Sequence, residues 1–142
     1  MALNILVVDD SAVMRSIIIR TLKLAGVPMG EVSQASNGME GLEVLKGRWV
    51  DLAIVDINMP LMNGEEMIDR IRQDPASSDL PIVVVSTEGS ASRIDALRKK
   101  GVEFIHKPFT PEHFRQTVVR LTGVSDEQSG GEGALSNCGS DF

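Results

Sequence analysis

The sequence predicts an α/β fold in which helices cover both faces of one parallel β-sheet. Five short strand-like runs alternate with five segments whose apolar residues recur at helical spacing, and this alternation is typical of parallel sheets. The runs Ile5–Val8 and Ile82–Val85 are continuously apolar, as expected of strands buried on both faces. With 142 residues, 42% of them hydrophobic, the chain is long enough to bury one core.

The predicted strands, in chain order, are Asn4–Val8, Glu31–Ala35, Asp51–Val55, Ile82–Val85 and Val102–Ile105. The predicted helices follow them, over Ser11–Ala25, Gly38–Lys46, Gly64–Gln73, Ser90–Lys100 and Pro111–Leu121. In each helix the apolar residues lie three or four positions apart, so that they share one face. These residues are Met14, Ile18 and Leu22, then Leu42 and Leu45, then Met67, Ile68 and Ile71, then Ile94 and Leu97, then Phe114, Val118 and Leu121.

The helix ends carry the residues that favour them. Ser11 and Thr110 are predicted N-caps, and Pro111 suits the first position of the last helix. Gly26 and Gly101 suit the ends of the helices that they follow.

The pattern of strands and helices stops at Gly123. Residues 123–142 contain five glycines and four acidic residues but no Lys or Arg. This composition is typical of a flexible segment. We therefore predict one domain over residues 1–122 and a flexible, acidic, Gly/Ser-rich tail over 123–142.

Charge and cysteine content limit the classes of partner. The net charge of −6 disfavours nucleic acid as the main partner. The chain has neither a visible signal peptide nor an apolar stretch near the ~20 residues of a membrane span. Cys138 is the only cysteine, which excludes an internal disulfide and fits a reducing compartment. The sequence thus predicts a cytoplasmic protein whose partners are neither membranes nor nucleic acids.

Polar side chains follow four of the predicted strands. Asp9 and Asp10 follow the first strand, Asp56 the third, Ser86 and Thr87 the fourth, and His106, Lys107 and Pro108 the last. Because the carboxyl ends of parallel strands meet at one edge of a sheet, we expect these groups to lie close together.

Three clustered carboxylates repel one another and need a neutralising cation. Mg²⁺, or Mn²⁺ in its place, suits such oxygen ligands. Asp10 is the favoured ligand, and Asp9 binds directly or through water. Lys107 adds a positive charge suited to phosphate, and the Ser86 hydroxyl can bond a phosphoryl oxygen. Asp56, between the acidic pair and Lys107, is the candidate nucleophile for an aspartyl-phosphate.

Each group also has a purely structural interpretation. Asp10 and Ser11 suit a helix N-cap, Asp56 suits the entry to a turn, and Ser86 and Thr87 suit a second N-cap. Lys107 fits a solvated strand exit. Their occurrence together at one predicted edge favours the chemical interpretation over four independent structural ones.

The same residues carry a family resemblance. The segments LVVDDS (6–11), VDINMPLMNG (55–64), VVSTE (84–88) and HKPF (106–109) together resemble the receiver domain of two-component response regulators, and within it the stand-alone chemotaxis type. The resemblance covers residues 3–121. It implies a doubly wound, flavodoxin-like sheet of strand order 2-1-3-4-5 with five helices.

The resemblance also implies residue roles. It makes Asp56 the phosphoacceptor and places Asp9, Asp10 and the Asn58 carbonyl around Mg²⁺. Ser86 and Lys107 then contact the phosphoryl group, and Phe104 is a switch residue that turns inward when Ser86 moves. Asn58 and Glu88 tune loss of the phosphoryl group. The Lys107–Pro108 peptide is expected to be cis, although few X–Pro bonds are.

The implied partners are a histidine kinase as phosphodonor and a target protein that docks on the face of helix 4, strand 5 and helix 5. The flagellar motor switch is one such target, but Ser90, Ala91, Ser92 and Thr117 stand where related chemotaxis receivers carry docking residues, including lysines. Catalysis beyond self-phosphorylation and dephosphorylation is not expected.

Three alternatives remain open at this point. The first is a phosphorelay intermediate that passes its phosphoryl group to a histidine of another protein. The second is a Mg²⁺-dependent phosphohydrolase, although that class prefers an Asp-x-Asp motif and usually has a cap insertion. A flavin-binding module of similar topology is the third, although aromatic residues are only 4% of the chain.

Overall fold

The computed structural model of the protein describes residues 2–87 and 89–123. These residues form one five-stranded sheet with the order β2-β1-β3-β4-β5, and all four strand pairs are parallel. The strands are β1 (Leu3–Val8), β2 (Met29–Ala35), β3 (Leu52–Val55), β4 (Ile82–Ser86) and β5 (Glu103–His106). The predicted fold class and strand order are both confirmed.

Five helices connect the strands and close the chain. They are α1 (Ala12–Leu24), α2 (Gly38–Gly47), α3 (Gly64–Gln73), α4 (Ala91–Arg98) and α5 (Pro111–Thr122). Each N-cap side chain, from Ser11, Asn37, Asn63, Ser90 or Thr110, accepts a hydrogen bond from a backbone N–H of the first turn, which satisfies a donor that has no partner within the helix.

The predicted boundaries differ from the structure by at most two residues. β2 begins at Met29 rather than at Glu31, because Met29 pairs with Leu3 of β1. α4 ends at Arg98, and the chain turns at Gly101, whose φ of 79° suits glycine.

Two apolar layers enclose the sheet. On one face α2, α3 and α4 pack over alternate strand residues, and on the other face α1 and α5 cover the remaining ones. The inward side chains of β3 and β4 are completely or almost completely buried. Because both faces are covered, polar groups of the central strands reach the surface only at the strand ends.

The described residues contain no helix that is long and apolar enough to cross a membrane. α5 ends at Gly123, which has a φ of 72°. The predicted tail, apart from Gly123, lies outside the described residues, and so does Cys138.

Candidate functional site

Three carboxylates gather at the carboxyl edge of the sheet, as the strand pattern predicts. One oxygen from each of Asp9, Asp10 and Asp56 lies within 4.8 Å of the others. β1 and β3 are neighbours, and the Asp56 N–H donates to the Val8 carbonyl at 2.9 Å. We call these three residues the acidic cluster.

Asp9 is almost completely buried, with 2% of its surface exposed. Its N–H donates to the Ala35 carbonyl at 3.1 Å, and its Oδ1 accepts from the Ser11 N–H at 2.9 Å. Its Oδ2 is buried and has no hydrogen-bond donor among the described residues. A buried carboxylate oxygen of this kind is expected where a cation binds.

Asp56 lies at the end of the central strand β3 and is 9% exposed. Its Oδ1 accepts from the Ile57 N–H at 2.9 Å. Gly64 contacts the backbone of Asp56 so closely that a Cβ there would lie 2.2 Å from the Asp56 carbonyl oxygen. The missing side chain of Gly64 therefore lets the start of α3 pack against the strand end that presents Asp56.

Lys107 is the cation that the structure places beside this cluster. Its Nζ lies 3.9 Å from Asp9 Oδ2 and 3.9 Å from Asp56 Oδ1. The backbone N–H of Lys107 donates to the Ser86 carbonyl at 2.9 Å, which extends the pairing of β4 and β5 to this point. The peptide between Lys107 and Pro108 is cis, as predicted.

The local environment raises the pKa of two carboxyl groups. For Asp9, burial raises the pKa most, the negative charge of Asp56 adds to it, and the Ser11 amide opposes it. For Asp56, burial also raises the pKa most, while the Lys107 charge and the amides of Ile57 and Asn58 lower it. For both groups, burial raises the pKa by more than the neighbouring groups lower it. Additional positive charge would therefore favour the ionised form.

The donors fit a hard divalent cation. The acidic cluster offers three carboxylate oxygens, and one buried oxygen of Asp9 lacks a protein donor among the described residues. Mg²⁺ and Mn²⁺ bind such oxygen sets. Asn58 is exposed two residues after Asp56, and the role of its carbonyl as a ligand stays a prediction.

Three further predicted residues have different outcomes. Ser86 is buried at the end of β4, opposite His106 in the strand register. Phe104 is 7% exposed in the apolar layer of α2, α3 and α4, and its ring centroid lies 5.9 Å from that of His106. The aromatic ring is thus already inside the fold, and its role as a switch stays a prediction. Glu88 lies outside the described residues.

Thr117, one of the four positions that depart from the docking residues of related chemotaxis receivers, is buried. Thr117 is 1% exposed, on the same face of α5 as the buried Phe114 and Val118. Its position three residues after Phe114 is the helical spacing that predicts burial, so the sequence held the signal. Residues 90–92 do lie at the start of α4, and all three are exposed.

Sequence reasoning missed the role of Arg15. Its guanidinium donates to the Asp9 carbonyl at 2.5 Å and to Gln34 Oε1 at 2.9 Å. These contacts join α1, β2 and the loop that carries the acidic cluster. The position of Arg15 in the predicted first helix gives no indication that it bonds Gln34 in a strand.

An acidic cluster with a neighbouring lysine at the carboxyl edge of a five-stranded doubly wound sheet is the arrangement expected of a receiver domain. Comparison with known families agrees with this class. Residues 5–119 match the family described as "Response regulator receiver domain", and the chain belongs to that family.

The most similar relatives include chemotaxis proteins. The chain is 38% identical over 134 residues to the chemotaxis protein CheY homolog of Campylobacter jejuni, covering 93% of this chain and 98% of that protein. It is 36% identical over 126 residues to chemotaxis protein CheY1 of Helicobacter pylori, covering 87% and 100%. The solved structure of the chemotaxis response regulator CheY4 of Vibrio cholerae is 32% identical, with a TM-score of 0.74 and coverage of 85% and 99%.

Proposed function

We propose that this protein is a single-domain response regulator that a histidine kinase phosphorylates on Asp56 and that signals by docking to a target protein. The observation that carries the proposal is the position of Asp56, which shares the acidic cluster with Asp9 and Asp10 and lies 3.9 Å from the Lys107 ammonium. Resemblance to chemotaxis receivers over nearly the whole chain supports a role in chemotaxis. We place the protein in the cytoplasm, together with the phosphorylating domain of the kinase.

The chemistry is a transfer of one phosphoryl group. An Asp56 carboxylate oxygen forms a bond to the phosphorus of a phosphohistidine, the P–N bond breaks, and the histidine nitrogen keeps the bonding electron pair and takes a proton. The Asp56 group must be ionised to attack. Burial raises its pKa, and the Lys107 charge opposes that rise. Mg²⁺, when bound, supplies positive charge to the phosphoryl oxygens.

The other residues orient the group that is transferred. Lys107 would contact a phosphoryl oxygen on Asp56 as a point charge. The Ser86 hydroxyl would donate to a second oxygen, and this movement would couple the site to Phe104 and to the face formed by α4, β5 and α5. If two conformations of that face differ little in free energy, one phosphoryl group is enough to shift the population from one conformation to the other.

Labelling by acetyl phosphate tests the proposal. The full chain is incubated with acetyl phosphate and Mg²⁺, and intact mass is measured with time. We expect an adduct of one phosphoryl group that is lost in Asp56→Asn and in EDTA but is retained in Asp95→Asn, since Asp95 is exposed on α4. Labelling that persists in Asp56→Asn would overturn Asp56 as the acceptor.

The same reaction separates the alternatives. Rapid release of phosphate from several small phosphate esters, without an adduct, would favour the phosphohydrolase. Transfer from the labelled chain to the histidine of a phosphotransfer protein would favour the relay. A target retained on immobilised protein only after phosphorylation supports the docking switch.

A further inference from the structure

The two cluster residues Asp9 and Asp10 lie in the short connection between β1 and α1, so their direction depends on the peptide that joins them. The backbone of Asp9 is fixed from one side by its N–H bond to Ala35 in β2. Its Oδ1 is fixed by the Ser11 N–H. The carbonyl of Asp9, which belongs to the Asp9–Asp10 peptide, accepts from the Arg15 guanidinium.

Arg15 is itself held at two further points. Its Nε donates to Gln34 Oε1 at 2.9 Å, and its backbone N–H donates to the Ser11 carbonyl at 3.0 Å. Gln34 lies in β2, paired with Val7 of β1. The planar guanidinium thus spans from the strand to the loop with donors in a fixed fork, whereas a lysine ammonium is a point charge on a flexible stem.

We propose that Arg15 is a positioning residue for divalent-cation binding by the acidic cluster. It holds the Asp9–Asp10 peptide so that the Asp9 carbonyl points to α1 and the two carboxylates face Asp56. Without Arg15, the Asp9 carbonyl loses its charged hydrogen-bond donor, and the Asp9–Asp10 peptide can change its orientation. The proposal rests on the function proposed above only in taking the cation as Mg²⁺ or Mn²⁺.

The charge of Arg15 and its bonding geometry can be separated by substitution. Arg15→Lys retains the positive charge of the side chain. Arginine also bonds Gln34 and the Asp9 carbonyl through donors in one rigid plane. Partners that orient metal ligands from outside the coordination sphere typically change metal affinity by about 10–100-fold.

The test is Mn²⁺ binding, followed by electron paramagnetic resonance of free Mn²⁺ and by competition with Mg²⁺. We expect about tenfold weaker binding in Arg15→Gln and intermediate weakening in both Arg15→Lys and Gln34→Met. Arg20→Gln, an exposed arginine of the same helix, is the matched control and should bind as the wild type does. Thermal unfolding in EDTA checks that each variant is folded.

The outcomes decide the proposal. Wild-type affinity in Arg15→Gln, or complete rescue by Arg15→Lys, would show that Arg15 does not position the site. Should Arg15→Gln fail to fold, Gln34→Met decides, because it frees the guanidinium without removing the charge. A wild-type chain that binds Mn²⁺ normally but takes no phosphoryl group would overturn the proposed function and leave the role of Arg15 standing. A wild-type chain that binds no Mn²⁺ would overturn both.

Discussion

Replacing Asp56 by Asn removes one charge from the acidic cluster and nearly preserves the shape of the side chain. The amide oxygen of Asn can still accept from the Ile57 N–H that now bonds Asp56 Oδ1. We therefore expect Asp56→Asn to stabilise the metal-free protein, although it abolishes the proposed phosphorylation. Stability and function oppose each other at this residue.

The magnitude follows from the distances. At an effective dielectric constant of about 20, charges within 4.8 Å of one another, as in the acidic cluster, repel by at least about 3.5 kcal/mol. Lys107 at 3.9 Å attracts Asp56 by about 4 kcal/mol on the same scale. The repulsion from buried Asp9 therefore nearly cancels the attraction by Lys107. Two costs of the Asp56 charge remain. One is the repulsion from Asp10, which is screened because Asp10 is exposed, and the other is the burial of the charge. Removing both should stabilise Asp56→Asn by about 2 kcal/mol.

Urea unfolding at pH 7 in EDTA, followed by far-ultraviolet circular dichroism, measures this gain. Trp49 is 77% exposed and is a poor reporter of unfolding. A gain of about 2 kcal/mol corresponds to a rise in Tm of about 5–10 °C for a domain of this size. Asp95→Asn, on the exposed side of α4, should change stability by less than about 0.5 kcal/mol.

The gain should depend on pH with a defined sign. Burial raises the pKa of Asp56 in the folded state, so the folded protein binds this proton more tightly than the unfolded chain does. The associated stability is fully present below the unfolded pKa of about 4 and is lost as pH rises through the folded pKa. The advantage of Asp56→Asn therefore grows between acidic pH and pH 7. A variant no more stable than the wild type at pH 7 in EDTA would refute the charge crowding that the structure implies.

Three further substitutions probe the surroundings of the site. Gly64→Ala should lower the unfolding free energy by about 2–3 kcal/mol, because the new Cβ would lie 2.2 Å from the Asp56 carbonyl oxygen. The control Gly47→Ala, where a new Cβ has nothing within 4 Å, should be neutral or stabilising by up to about 1 kcal/mol. Equal losses of the two variants in urea unfolding would contradict this contrast. Arg72→Met removes four hydrogen bonds to carbonyls of the loops before β4 and β5 and should cost about 2–3 kcal/mol in thermal unfolding, with acetyl phosphate labelling unchanged. Lys107→Met removes the cation from between two buried carboxylates and should destabilise the protein by about 2 kcal/mol at pH 7 in EDTA; a stability equal to the wild type would mean that the 3.9 Å contacts contribute nothing.

The part of the site that could be predicted follows from strand direction. Apolar runs that end in Asp9, Asp56 or Ser86 place those residues at one edge as soon as the strands are parallel, whatever the details of packing. The location of the site at this edge of the sheet is thus predictable from the spacing of the apolar residues and from the polar residues that follow the strands. The order of the strands and the separate role of each carboxylate needed the family resemblance, because period does not distinguish one strand neighbour from another.

Contacts made by long side chains were not predictable. Arg15 and Arg72 each donate to backbone carbonyls in other segments of the chain, and their flanking residues are ordinary helix sequence. The long arginine side chain can reach several segments, and only the folded backbone determines which carbonyls lack a donor. The sequence therefore locates the carboxylates but not the groups that orient them.

The acidic cluster also links cation binding to stability. The buried Asp9 Oδ2 has no donor among the described residues, and burial raises the pKa of both Asp9 and Asp56, so the folded chain carries an unfavourable charge arrangement at pH 7. A cation that binds only the folded state stabilises it by RT ln(1 + [M]/Kd), and it does so through the charges that Asp56→Asn reduces. Mg²⁺ should therefore raise the Tm of the wild type more than that of Asp56→Asn, and the advantage of the variant in EDTA should shrink as Mg²⁺ is added. If Mg²⁺ raises both Tm values equally, the cation binds elsewhere, and the assignment of the acidic cluster as its site is wrong.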